Sequence, residues 1–163
     1  MALYIVIALV AITRLLELPL AARNTRKLLA QGAAETGARH YPLFILLHAT
    51  WLLAILLTTP PGATMNLWLL GVFITLQFGR VWVIATLGRY WTTRIISPPG
   101  QPLIKEGPYR YFSHPNYLIV TLEIAVLPLV FGNWPVAVIW SGMNAALLYW
   151  RIRMENVALA PRR

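Results

Sequence analysis

Three near-unbroken apolar runs, residues 2 to 22, 41 to 58 and 66 to 87, and two shorter ones, 117 to 132 and 135 to 150, leave this chain few ways to fold. A helix needs roughly 20 apolar residues to cross the hydrocarbon core of a bilayer. Inside lipid every backbone N–H and C=O must find a partner within the chain, so such runs become helices rather than loops or open strands. The expected fold is an all-α integral membrane protein with about five transmembrane helices. Only Gly132, Asn133 and Trp134 part the last two runs, and Pro135 follows, which predicts a tight C-terminal helical hairpin. The first run, MALYIVIALVAITRLLELPLAA, lacks a basic leader and a small-residue cleavage site, so it is expected to be a retained helix rather than a signal peptide.

The residues between the runs set orientation and partners. The chain has 14 Lys and Arg against five acids, all Glu, for a formal charge of +9. Nucleic acid would require a solvated basic face, yet the cations cluster between apolar spans: Arg23, Arg26, Lys27 and Arg39; Arg89 to Arg110; and Arg151, Arg153, Arg162 and Arg163. Anionic lipid headgroups are the better partner. The other loops, TTPPGAT and GNW, are uncharged. This alternation predicts the N-terminus outside and the C-terminus in the cytoplasm, so that any active site is made from cytoplasmic loops and helix ends. With no cysteine, disulfides, thiol catalysis and thiolate metal sites are excluded. Oligomeric state leaves no signal.

Residues 88–116, GRYWTTRIISPPGQPLIKEGPYRYFSHPN, form the one sizeable polar segment besides the first connection. Pro98, Pro99, Pro102, Pro108 and Pro115 exclude a long helix there, so an ordered, irregular cap is expected. The chain then divides into three N-terminal spans, 1–87, and a cap, hairpin and tail, 88–163, within a single membrane domain.

Four ionisable residues fall inside predicted spans: Arg14, Glu17, Arg80 and Glu123. Each costs a few kcal/mol there unless it finds a partner or a wet cavity, so each is a functional candidate. Arg14 and Glu17 are three apart and can neutralise each other as a plain ion pair. Arg80 and Glu123 sit at a similar depth, about 10 Å in at ~1.5 Å per residue, and can pair or line one cavity floor. His114 lies between Gly107-Pro108 and Pro115, with Tyr109, Tyr111 and Tyr117 around it. A loop histidine is more often an incidental polar contact, but this rigid aromatic setting marks it out. Metal binding is not expected, because no second His or acid stands at ligand spacing. Arg151, Arg153 and Glu155 follow the last span; basic residues there anchor to headgroups without further function, whereas the glutamate is an acid at the same face as His114.

Leu103 to Tyr117, LIKEGPYRYFSHPNY, followed by a hairpin and by RIRME at 151 to 155, resembles the isoprenylcysteine carboxyl methyltransferase family. Its members are membrane enzymes that use S-adenosylmethionine without a Rossmann domain. The first half, with GRYWTTRIISPPG, is similar to a small bacterial branch associated with O-methylation of alkylpyrones and related long-chain polyketides. The resemblance implies a cofactor site of Leu103, Ile104, Gly107, Tyr109, His114, Pro115, Tyr117, Arg151 and Glu155, and a bacterial cytoplasmic membrane location. Ser113 stands where the family usually has an arginine before His-Pro, and Asn156 replaces the second closing acid. This argues against prenylcysteine carboxyl methylation and for a long-chain alkylpyrone or phenolic lipid acceptor. Arg110 or Arg94 is the candidate to hold the acceptor's oxyanion, with Glu123 a further catalytic candidate. Phospholipid N-methylation would need a base. Other classes weighed are a nicotinamide-dependent reductase of the sterol reductase type, for which the chain is short, and a non-catalytic scaffold, which leaves the constrained cap unexplained.

Overall fold

A computed structural model describes residues 1–159, and the tail residues Arg162 and Arg163 lie outside them. The helices are α1 (Ala2–Ala30), α2 (Tyr41–Thr58), α3 (Leu67–Leu87), α4 (Pro115–Val130) and α5 (Trp134–Leu159). By length and composition α1, α2 and α3 can each cross a membrane, while α4 is a shorter apolar helix. α5 is long but less apolar, carrying Asn144 and four tryptophan or tyrosine residues. α4 packs most extensively on α3 and α5. Large apolar side chains such as Leu16, Trp68, Phe78 and Val81 point outward, as lipid-facing residues do.

Two helices outrun their expected spans. α1 continues past residue 22 through ARNTRKLLA, because nothing in that stretch breaks a helix until Gln31-Gly32, where Gly32 takes φ 83°. Lys27 in its last turn complements the helix dipole. α5 continues past residue 150 through RIRMENVAL, which has neither Gly nor Pro. The segment expected to be a tail is therefore helical, and Arg151 and Glu155 share one face, four residues apart.

The core lies among all five helices, with Leu3, Ile7 and Val10 the contribution of α1. Trp51 and Ile55 from α2 meet Ile124, Leu127 and Val130 from α4, and the Trp51 indole donates to the Ile124 carbonyl at 3.2 Å. At the uncharged end Asn66 caps α3 by accepting from the Leu69 N–H at 3.1 Å. Asn133, in the hairpin turn, donates to the Thr58 and Thr59 hydroxyls at 2.8 and 2.9 Å.

The opposite end holds the cap. It is irregular as expected, but it also contains a ribbon that the sequence reading treated as loop. Strand β1 (Ala34–Thr36) pairs antiparallel with β2 (Ile95–Ser97), with Glu35 opposite Ile96. Three-residue strands carry too little alternation to be read from sequence. Gly37, at φ 69°, lets the chain turn against the Met154 methyl of α5, where a Cβ would collide. Asn24 of α1 clasps the cap by donating to the Gly88 and Trp91 carbonyls at 3.0 and 2.9 Å.

Candidate active site

The start of α4 and the end of α5 meet beneath the cap. Pro115 occupies the first turn of α4, where its fixed φ and missing N–H cost nothing. The His114 carbonyl accepts the first helical bonds, from Tyr117 at 3.1 Å and Leu118 at 3.3 Å. His114 and Tyr117 are thereby held three residues apart, their rings stacked with centroids 5.3 Å apart and planes at 13°.

Both rings face α5. The Tyr117 hydroxyl donates to Glu155 Oε2 and accepts from Arg151 Nε at 2.8 Å. His114 Nδ1 lies 3.5 Å from the same Glu155 oxygen. Arg151 Nη2 donates to the Thr93 carbonyl of the cap at 2.8 Å, and its guanidinium lies over the Phe44 and Tyr117 rings at 4.9 and 5.6 Å. One carboxylate, one guanidinium, one phenol and one imidazole thus form a single partly exposed cluster joining α2, α4, α5 and the cap.

Tyr109 belongs to the short helical turn Gly107–Arg110, and burial, with the Glu155 charge adding, pushes its phenol above the usual tyrosine range. Gly107 explains how that turn sits so close to α3: at φ 53°, an added Cβ would lie 2.6 Å from Thr86 Oγ1 and 3.2 Å from Trp82 Nε1. Leu103 and Ile104 line a different feature, an open cleft of about 360 Å³ shared with Thr86, Tyr90, Lys105 and Glu106. Arg110 is exposed at the end of its turn. Arg94 is bonded to Glu35 of the ribbon and lies over the Tyr41 ring at 5.1 Å.

Glu123 belongs to a second, intramembrane group. It accepts from Arg14 Nη2 at 2.8 Å, Gln77 Nε2 at 2.9 Å and Arg80 Nη1 at 3.3 Å. Glu17 accepts from Arg80 Nε at 2.7 Å, from Arg80 Nη2 at 2.6 Å and from Arg14 at 3.1 Å. Both pairings open to the sequence reading are present in one neutral network of two arginines and two glutamates, tying α1, α3 and α4 together. Gln77 completes it. Sequence reading passed over Gln77, Tyr41, Phe44, Thr93 and Glu35; the aromatic pair in HYPLF, at the charged end of a span, was the available signal. Among the described residues, no group of three or more His, Cys, Asp or Glu side chains is placed to hold a metal ion.

Comparison with known families matches residues 69–161 to the isoprenylcysteine carboxyl methyltransferase family. The chain belongs to that family. Family membership makes it a membrane methyltransferase, and the family's methyltransferases use S-adenosylmethionine. The matched region holds α3 from residue 69 onward, cap residues 88–116, α4 and α5, and so contains His114, Tyr117, Arg151 and Glu155. A full-length relative is the uncharacterized protein YpbQ of Bacillus subtilis (strain 168), 37% identical over 160 residues, covering 96% of this chain and 95% of the relative. No solved structure matches the chain.

Proposed function

We propose that this protein is an S-adenosylmethionine-dependent O-methyltransferase acting on the acidic oxygen of a membrane-embedded lipid, a long-chain alkylpyrone or phenolic lipid. The observation that carries the reading is the cluster of His114, Tyr117, Arg151 and Glu155, all within the stretch matched to the family. Its donor set suits the cofactor. The Glu155 carboxylate suits an ammonium or ribose hydroxyls, and the Arg151 guanidinium suits a carboxylate. Asn116 Oδ1, between Pro115 and Tyr117, is buried without a partner, as an acceptor awaiting a donor would be. Tyr109 and Tyr117 offer aromatic faces, and a tyrosine face is worth about 0.5–2 kcal/mol beside a cation.

The cofactor, when bound, supplies an electrophilic methyl group. The chain's residues must hold an acceptor oxygen close, orient it and exclude water. No covalent nucleophile is required, and an enol acidic enough to lose its proton to water needs no side-chain base. Ser113 is exposed where the family usually has arginine, so the oxyanion must be held by other cations. Arg94, beside the cluster through Thr93 and Arg151 and stacked over Tyr41, is favoured over Arg110. Glu123, 2% exposed and saturated with donors, is read as acting through its arginines to fix α4 rather than by touching the acceptor. The cluster is assigned to the cytoplasmic face because the cap end carries the cationic connections.

The test is transfer from labelled S-adenosylmethionine by the purified protein in detergent, offered alkylpyrones, alkylresorcinols, prenylcysteines and phosphatidylethanolamine separately. The pyrone or resorcinol is expected to be labelled. Faster labelling of prenylcysteine would replace the substrate class, and labelling of phosphatidylethanolamine the reaction type.

A further inference from the structure

The end of α5 that carries Arg151 and Glu155 is held in part by residues outside 69–161, the stretch matched to the family. The first connection and the start of α2 reach it at three successive points. Gly37 turns against the Met154 methyl, the His40 ring packs on Trp150 with planes tilted by 51°, and the Phe44 ring lies 4.9 Å from the centre of the Arg151 guanidinium. Phe44 belongs to the first turn of α2, where Pro42 fixes the backbone, so its half-buried ring is part of the helical bundle rather than of the cap.

Arg151 makes two hydrogen bonds. Its Nε donates to the Tyr117 hydroxyl and its Nη2 to the Thr93 carbonyl, both at 2.8 Å. Two bonds made by nitrogens of one plane leave that plane free to rock about the line joining their acceptors. A ring packed on one face blocks the rocking. It thereby fixes the direction of the third nitrogen, Nη1, which bonds to no other described residue. Phe44 is the nearer of two rings beside this cation; Tyr117, at 5.6 Å, meets the guanidinium through its hydroxyl. Guanidinium is planar and more weakly hydrated than an ammonium, so it accepts an aromatic face where a lysine would not.

We infer, resting on the methyltransferase reading, that Phe44 is a positioning residue of the cofactor site: its ring sets the plane of Arg151, so that Nη1 is presented to the carboxylate of S-adenosylmethionine. The hydrogen-bonding members of the site, Thr93, His114, Tyr117, Arg151 and Glu155, all lie in the matched stretch, and α2 completes it from outside with a side chain that makes no hydrogen bond at all. Phe44 acts through Arg151 alone. Its effect therefore falls on recognition of one group, the carboxylate, and not on the adenosine or the sulfonium.

The experiment compares two ligands by calorimetry on the purified protein in detergent: S-adenosylmethionine, and decarboxylated S-adenosylmethionine, which lacks only the carboxylate. Phe44→Leu is expected to weaken S-adenosylmethionine binding about three- to tenfold, the range a lost cation–ring contact allows, and to leave the decarboxylated ligand within about twofold of the parent. Phe44→Met should match Phe44→Leu, whereas Phe44→Tyr, which restores a ring face, should bind both ligands like the parent. In an Arg151→Gln background Phe44→Leu should add nothing. Unchanged S-adenosylmethionine affinity in Phe44→Leu and Phe44→Met overturns the positioning role, and so does equal weakening of both ligands, which marks a general loss of packing. Either result leaves the methyltransferase reading intact. A parent that binds no S-adenosylmethionine and methylates no lipid overturns that reading, and the role of Phe44 with it.

Discussion

Replacing Glu123 by glutamine separates a structural role for the intramembrane network from a chemical one. Glu123 is 2% exposed and accepts from three donors, Arg14, Gln77 and Arg80. The substitution keeps size and one acceptor oxygen but removes the charge, leaving two buried guanidiniums to share Glu17. Breaking one partner of a buried ion pair costs about 3–5 kcal/mol, because the uncompensated charge stays in a low-dielectric interior. At roughly 2–4 °C per kcal/mol for a chain of this size, melting in detergent should fall by about 10 °C. The double variant Arg14→Met with Glu123→Gln restores neutrality, since Arg80 and Glu17 keep their two-nitrogen fork at 2.7 and 2.6 Å, and should recover more than half of the loss. Glu35→Gln, which breaks an exposed pair, should melt within about 1 kcal/mol of the parent. Melting read by tryptophan fluorescence decides the matter when run beside a transfer assay. If Glu123→Gln melts like the parent yet loses transfer, the network is not a scaffold and Glu123 acts in the chemistry.

His114→Ala and Glu155→Ala should each lower S-adenosylmethionine affinity at least tenfold in calorimetry while melting stays close to the parent; unchanged affinity in both removes the proposed cofactor site. Gly107→Ala should destabilise the cap by about 1–3 kcal/mol, since a residue forced to positive φ costs that much before the clash with Thr86 is counted. Its expected signature is weakened cofactor binding together with earlier protease cleavage between residues 88 and 106, and normal binding would show that the turn tolerates a side chain. Single cysteines at Thr64 and Gln101, in a parent that has none, should label from outside and inside respectively; labelling of position 101 from outside in intact cells would invert the orientation.

The helices were legible because lipid removes the alternatives: an apolar run without partners outside itself has only the helix. Their ends were less so. Residues 23 to 30 and 151 to 159 mix charged and apolar side chains, so hydropathy stops marking them, but charge does not end a helix and no Gly or Pro does so there. That extension matters most at the site, because only a helical 151–155 segment sets Arg151 and Glu155 on one face toward Tyr117. His114, Tyr117 and Glu155 were legible as a group because proline and glycine pinned the first two, the third is an acid at the same membrane face, and the resemblance joined them. Tyr41, Phe44 and Thr93 were not, since their roles come from a ribbon three residues wide and from a cap folding over α2, both long-range contacts that no local pattern encodes. Gln77 went unmarked because its carboxylate and guanidinium partners come from two other helices, α4 and α1.

The two arginine–glutamate systems of this chain differ in a way that bears on which of them can do chemistry. In the membrane, a charge without a partner costs far more than the pair is worth, so the network of Arg14, Glu17, Arg80 and Glu123 is closed: each carboxylate has both guanidiniums as partners, and Gln77 meets Arg14 and Glu123. A closed network has nothing to offer a ligand without first being broken. The cap obeys a milder rule, because water can replace any partner that leaves. There Glu155 shares one oxygen between Tyr117 and His114, and Arg94 spends a single nitrogen on Glu35. Donor and acceptor capacity left over at Glu155 and Arg94 can meet a polar ligand without a buried ion pair being broken. The network beneath ties α4, which carries Tyr117, to α1 and α3.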